Sequence, residues 1–297
     1  VQRVGRWLVV ASDENAAVQF LRPDGADKYR LDYTLPLDRD PDIEFDFEAL
    51  AMSVNSLDIL GSHSRYRRRV KREAGPEENS RRFSEVRYQQ RRDSLFRVDL
   101  DPTAGRATGR PERFSLRLLL EAQPVLQPFL AAPGKENGVD LEGLAVHDHR
   151  LFVGFRGPVL RHNYLPVLAI ALEDLEECAA TPMAGGIECE LRYLNLGGRG
   201  VRGMHPVDVG LLLIGGPVGD GRFSYRLYFW DGEDCFPAQG HPACVLQDLG
   251  VIPDTHNAGA EGIVVLGEND AGWDVLIVYD GVDGGRPSRL RVLRPGQ

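Results

Sequence analysis

Four segments of the chain carry variants of one pattern. They are Asp46-Phe47-Glu48-Ala49-Leu50-Ala51, Asp140-Leu141-Glu142-Gly143-Leu144-Ala145, Gly200-Val201-Arg202-Gly203-Met204 and Gly259-Ala260-Glu261-Gly262-Ile263-Val264. A short polar turn and an apolar run closing near a glycine follow each of them. Glu142, Arg202 and Glu261 succeed one another at intervals of 60 and 59 residues. A fixed period of this size in a chain rich in strand formers means one supersecondary unit repeated around an axis, most simply the blade of a propeller.

The apolar runs Trp7–Ala11, Leu57–Leu60, Leu151–Phe155, Leu211–Ile214 and Val275–Tyr279 read as second strands of five units. Third strands are expected at Ala17–Leu21, Ser94–Leu100, Val167–Leu172, Tyr225–Trp230 and Arg289–Leu293. The fold class is therefore all-β: a single β-propeller over residues 1–297 with five recognisable blades. A six-bladed ring with one degenerate blade is the alternative. The first unit lacks its motif strand, because Trp7 already stands in the second-strand position. Either that strand lies upstream or another segment closes the ring.

Two insertions interrupt the period, at 64–92 and at 120–138. The first carries 11 basic and 4 acidic residues, whereas the whole chain has a net charge of −9, so the remainder stands at −16. An acidic chain is a poor general binder of nucleic acid, and only the basic loop 64–92 keeps that option open. A mobile, solvated loop is the simpler reading of 64–92, and a lid over the channel mouth is the other. The second insertion reads as a short helix interrupted by Pro124 and Pro128.

Residues 1–20 hold no signal-peptide pattern and no apolar run is long enough to span a bilayer, so a cytoplasmic protein with no membrane partner is expected. Export stays open because the sequence starts at Val1. Cys178, Cys189, Cys235 and Cys244 form no Cys-x-x-Cys pair, which argues against zinc. Reduced thiols are the expectation in the cytoplasm, and Cys178–Cys189 with Cys235–Cys244 are the pairs open to an exported protein.

Inner strands of a propeller line its channel, so the repeated motif brings Glu48, Glu142, Arg202 and Glu261 together near the axis. Carboxylates a few ångströms apart raise one another's pKa unless a cation intervenes. Arg202 can be that cation, and so can a bound Ca²⁺ or Mg²⁺ held by Glu48, Glu142 and Glu261. The ends of the second strands add His63, Arg156 and Asp280 to the same mouth. In a catalytic site Arg156 and Arg202 would bind an anionic substrate, and His63 or Asp280 would move protons. In a structural site the same charges form salt bridges between blades.

Asp42 to Glu48 alternates acidic and apolar residues, which in a strand places Asp42, Glu44, Asp46 and Glu48 on one face. Such a face needs a divalent cation or arginines, for which Arg67, Arg68 and Arg69 are at hand, or else lies in solvent. His147 and His149 fall in a turn, where an exposed role is commoner than metal binding. Gly-x-Ser-x-Gly elbows, P-loops and dinucleotide fingerprints in context are missing.

The segment from Asp140-Leu141-Glu142-Gly143-Leu144-Ala145 to Gly154-Phe155-Arg156-Gly157-Pro158-Val159 resembles the domain-of-unknown-function 3616 family. So do Gly61-Ser62-His63-Ser64 with the basic insertion, Leu196-Gly197-Gly198 before Arg202, and Ala260-Glu261-Gly262-Ile263. The likeness covers nearly the whole chain and implies a bacterial β-propeller, with no activity to carry across. More distantly, a Glu-Gly motif opening an inner strand is similar to the esterase-like, phytase-like propellers. It is similar too to the gluconolactonase group, where such a glutamate binds a divalent metal. That likeness implies a metal near Glu48, Glu142 and Glu261, and this chain departs from it at Arg202.

Two functions follow. One is a metal-assisted hydrolase of a small anionic ester or phosphoester. The other is a non-catalytic binding or protein-interaction propeller in a larger assembly, its partner a small anionic ligand or a protein.

Overall fold

The computed structural model describes all residues except 13–14, 26–27, 41–42, 183–188, 222, 240–243, 254–257, 283–285 and 295–297. Five antiparallel sheets stand around one axis as the blades of a propeller. The first blade is β1 (Gln2–Val4), β2 (Trp7–Ala11), β3 (Ala17–Pro23) and β4 (Tyr29–Pro36). The second begins with β5 (Phe47–Met52) and β6 (Ser56–Gly61). The basic insertion follows as β7 (Tyr66–Arg67), α1 (Pro76–Ser84) and β8 (Val86–Arg87), with β7 and β8 paired in a small sheet of their own. The second blade resumes with β9 (Leu95–Asp101), along which β10 (Arg106–Ala107) and β11 (Glu112–Phe114) both pair.

After α2 (Arg117–Ala122) the third blade runs β12 (Asp140–His147), β13 (Arg150–Gly157), β14 (Tyr164–Ala171), α3 (Leu175–Ala180) and β15 (Cys189–Asn195). The fourth is β16 (Gly200–Val207), β17 (Gly210–Gly216), β18 (Arg226–Trp230) and β19 (Leu246–Val251). The fifth is β20 (Gly259–Asn269), β21 (Gly272–Asp280) and β22 (Ser288–Leu293). None of the helices among the described residues is long and apolar enough to cross a membrane.

The innermost strands touch in a closed circuit of β1, β5, β12, β16 and β20, returning to β1. The strand β1 thus supplies the member that the sequence placed upstream or elsewhere. It is only three residues long, too short to show a periodicity. The five-bladed expectation holds.

The middle strands are covered on both faces by neighbouring blades. Leu151, Phe152, Val153 and Phe155 of β13 and Leu165, Val167, Leu168 and Ile170 of β14 are all buried, which is why they read as unbroken apolar runs. Outer strands are half-solvated and mix polar with apolar residues, as in β4 and β19. Apolar clusters fill the seams between blades. One joins Val9, Phe20, Phe47, Leu57 and Phe96, and another joins Leu212, Phe229, Ile263 and Trp273. Leu8, Val264 and Leu276 close the circle between the first and last blades. Across the same seam the Arg3 guanidinium donates to the Leu266 carbonyl at 2.8 Å.

Three details differ from the sequence reading. The helix α2 ends at Ala122, before both prolines, and short 3-10 turns carry the chain onward. Strand β5 begins only at Phe47, because Asp46 adopts a left-handed backbone (φ 58°) that breaks the extended run. Asp42 lies outside the described residues. Finally, Cys178 is bonded to Cys189 and Cys235 to Cys244, and no free cysteine is present among the described residues. The reduced-thiol expectation is corrected on that point. The Cα atoms of the two pairs stand 6.2 and 5.0 Å apart, a separation a disulfide spans without moving the backbone.

Candidate functional site

A single irregularity recurs in four blades and sets the site. In the ladder between first and second strands, the register slips between Phe47 and Ala49, Leu141 and Gly143, Val201 and Gly203, and Ala260 and Gly262. The skipped residues are Glu48, Glu142, Arg202 and Glu261. Each motif residue is thus the extra member of a β-bulge, with no partner across the ladder. A bulge re-aims its side chain. The four side chains point to one cavity of about 1710 Å³. A second slip, between Asp140 and Leu141, leaves Arg156 unpaired opposite them and adds it to the same wall.

The glycine after Glu142 has a packing reason. A Cβ on Gly143 would come within 2.6 Å of Met204 Sδ and of a Val201 methyl on the next blade. The inner strands of the third and fourth blades approach too closely for a side chain there.

Glu142 is the centre of the charge network. Arg156 Nη1 donates to its Oε1 at 2.9 Å, and Arg202 Nη1 lies 2.7 Å from its Oε2. The same Arg202 group reaches Oε1 at 3.0 Å, and the other Arg202 amino group pairs with Glu261. Arg156 Nε donates to the Val218 carbonyl at 2.7 Å, and its Nη1 is 3.8 Å from Asp140. Asp140, Glu142, Arg156 and Arg202 are all buried.

Not every carboxyl in this wall keeps its charge. Burial, and then the Glu142 carboxylate beside it, push Asp140 up to about 8, against the pull of Arg156. Glu48 is raised well above the usual glutamate range by desolvation, then by Glu142, Asp46 and Asp140. At neutral pH Asp140 holds its proton.

The basic insertion covers the cavity. Arg65 bridges to Pro133 and donates to the Leu130 carbonyl at 2.9 Å, tying the second blade to the segment before the third. Arg67 clasps Glu136 through Nε and Nη2. Arg92 pairs with Asp46 at 2.8 Å and Glu44 at 2.9 Å, while its guanidinium stacks 4.3 Å from the Tyr66 ring centroid. The acidic run before β5 does find an arginine from the insertion, but Arg92 rather than Arg67, Arg68 or Arg69. Asp93 and Arg117 pair at 2.8 Å beside Tyr88, and both Arg65 and Arg117 lie over that ring. The expected mobile loop is a folded cover.

Glu48, Glu142, Glu261, Arg156, Arg202 and Asp280 all line the cavity. His63 is not among the lining residues. It is buried in a left-handed backbone conformation (φ 54°), its Nδ1 donates to the Gly61 carbonyl at 2.9 Å, and its Nε2 accepts the Leu116 N–H at 3.1 Å. Burial pushes the imidazole down to about 4, so it is neutral. The turn bearing His147 and His149 contributes nothing to the wall.

Sequence reasoning missed Asp140, Asp46 and Arg92 as members of the site. For the two aspartates a signal existed: Asp-x-Glu occurs at both Asp46-Phe47-Glu48 and Asp140-Leu141-Glu142. No group of three or more His, Cys, Asp or Glu side chains stands in metal-ligating arrangement among the described residues. Of the three glutamates proposed as ligands, Glu142 and Glu261 hold Arg202 between them, where a divalent ion would have to sit.

No curated protein is significantly similar to the chain. Among solved structures, the crystal structure of Saccharomyces cerevisiae Sqt1 is similar over 97% of this chain and 81% of its own, at 10% identity and a TM-score of 0.38. The family model described as protein of unknown function (DUF3616) matches residues 1–293, and the chain belongs to that family.

Proposed function

We propose that the protein is a ligand-binding propeller whose axial cavity takes a small anionic molecule. The observation that carries this reading is the guanidinium lining of the cavity, in which Arg65, Arg67, Arg68 and Arg69 of the cover join Arg156 and Arg202, both fixed on the buried Glu142. Guanidinium groups held in place lose little entropy on meeting an anion. The local charge sum favours an anion too. Ten cationic and nine acidic side chains line the cavity, and the proton on Asp140 widens that excess from one to two. Titration calorimetry with inorganic phosphate and citrate tests the reading. Binding that is lost in the double change Arg68→Gln with Arg69→Gln supports it, provided the variant melts cooperatively. Saturable binding of neither anion to the wild type would sink it.

A hydrolytic reading retains one observation in its favour. Asp140 carries a proton at neutral pH in the same wall as two arginines, as a general acid beside an anion-binding group requires. Asp280, exposed at the end of β21, is the candidate base. Metal assistance by Ca²⁺ or Mg²⁺ would require Glu142 and Glu261 to turn away from Arg202. Screening with phosphoesters and lactones, wild type beside Asp140→Asn, separates this reading from simple binding. Turnover in the wild type that is lost in the variant would establish it.

A further inference from the structure

The cavity has two electrically different ends. The cover contributes Arg65, Arg67, Arg68, Arg69, Arg82 and Arg87. The inner strands and their ends contribute Asp46, Glu48, Asp140, Glu142, Glu261 and Asp280. Apart from Arg92 of the cover, which reaches Asp46 and Glu44, the ion pairs keep these sets apart. The other cover arginines with carboxylate partners find them in Glu136, Glu85 and Glu78, none of which belongs to an inner strand. Inner-strand carboxylates pair with Arg92, Arg156 and Arg202. Those cover pairs are loose at Arg68, 3.9 Å from Glu85, and at Arg82, 3.8 Å from Glu78, while Arg69 is exposed. Guanidinium hydrogens therefore remain for another acceptor.

The wall also holds donors that the fold leaves unsatisfied. Among the described residues, the buried Nε groups of Arg87, Arg92 and Arg202, all residues of this cavity, lack a hydrogen-bond partner. Buried polar groups without a partner are rare in native proteins and call for an oxygen from a ligand or ordered water.

A simple anion uses only the cover. The opposite end offers carboxylate acceptors and a protonated carboxyl donor, which suit hydroxyl groups. A carboxylate accepting from a sugar hydroxyl is a charge-assisted bond, and Asp140 can donate in return. The volume, about 1710 Å³, exceeds what phosphate alone would fill. Resting on the anion-binding reading above, the geometry points to a polyhydroxylated anion as the ligand: a sugar or polyol bearing one phosphate or carboxylate, its acid group under the cover and its hydroxyls on the inner-strand carboxyls.

Calorimetric titrations of the wild type with a panel of hexose 6-phosphates and hexuronates, beside inorganic phosphate and the parent hexoses, test this. At least one acidic sugar is expected to bind about ten-fold or more tighter than both phosphate and its parent hexose, the value of one charge-assisted hydrogen bond. Comparing the phosphate arm with the uronate arm identifies the acid group. Two variants at accessible positions locate the ends. The double change Arg68→Gln with Arg69→Gln should bring the acidic sugar down toward the parent hexose. Asp280→Ala should bring it down toward phosphate. Phosphate binding as tightly as every acidic sugar would overturn the hydroxyl end while leaving the anion-binding reading intact. A hexose binding as tightly as its acidic form would overturn the role of the cover. Failure of phosphate, citrate and every acidic sugar alike would remove both.

Discussion

Arg202 Nη1 lies 2.7 Å from Glu142 Oε2 across the seam between the third and fourth blades. Both side chains are buried. Both are bulge residues, so neither position is fixed by ladder pairing. Removing one partner of a buried pair strands the other charge, at a cost of about 3–5 kcal/mol. Glu142→Leu is expected to lower the free energy of unfolding by that amount, since it takes the carboxylate from Arg156 and leaves Arg202 with Glu261 alone. Urea unfolding measures it. A change below about 1 kcal/mol, the range of exposed pairs, would show the network to be solvated.

The proton on Asp140 gives stability a pH dependence of definite sign. Its folded pKa, about 8, stands above its ordinary value of 3.8. The folded state therefore holds the proton more tightly than the unfolded chain. The associated stability is complete below about 3.8 and is lost as pH rises through about 8. Wild-type protein should melt at progressively lower temperature between pH 6 and pH 9, and Asp140→Asn should flatten that slope. A slope unchanged in the variant would assign the effect to other groups.

Millimolar Ca²⁺ or Mg²⁺ is expected to leave the melting temperature unchanged, because Arg202 already neutralises Glu142 and Glu261. Ligands that bind only the folded state raise it. A rise with either ion that disappears in Glu261→Gln would instead establish a metal on the axis.

The two disulfides close loops of 11 and 9 residues in sequence separation. Loops of this size are worth about 2–3 kcal/mol each in the chain-entropy account. Melting in the presence of a phosphine reductant should fall by several degrees. The double variant Cys178→Ser with Cys189→Ser should reproduce about half of that fall. No response to reductant would mean that the cysteines are thiols in the purified protein.

Much of the fold was legible because the middle strands are buried on both faces. Leu151–Phe155 and Leu211–Ile214 cannot be mistaken for surface segments. The outer strands were silent for the opposite reason: β15 and β19 are half-exposed and hold polar residues beside apolar ones. The axial residues were legible through their repetition, since Glu48, Glu142, Arg202 and Glu261 share one place in the motif. What repetition could not reveal is which partner each takes. Arg92 meets Glu44 and Asp46 across 48 and 46 residues of chain, a contact set by how the insertion folds back over the blade. The insertion itself read as a solvated loop because its charge masks a small core of ring and guanidinium stacking around Tyr66 and Tyr88.

The bulges carry a meaning for how such a channel changes over time. A bulged residue has no opposite number in the ladder, so the sheet does not read its identity. The fourth blade demonstrates this: arginine stands where the second, third and fifth carry glutamate, and the register slips at the same place in all four. The lettering of the channel is therefore separable from the architecture around it. Exchanges that conserve the summed charge can rewrite what the cavity accepts while each blade goes on folding to the same plan.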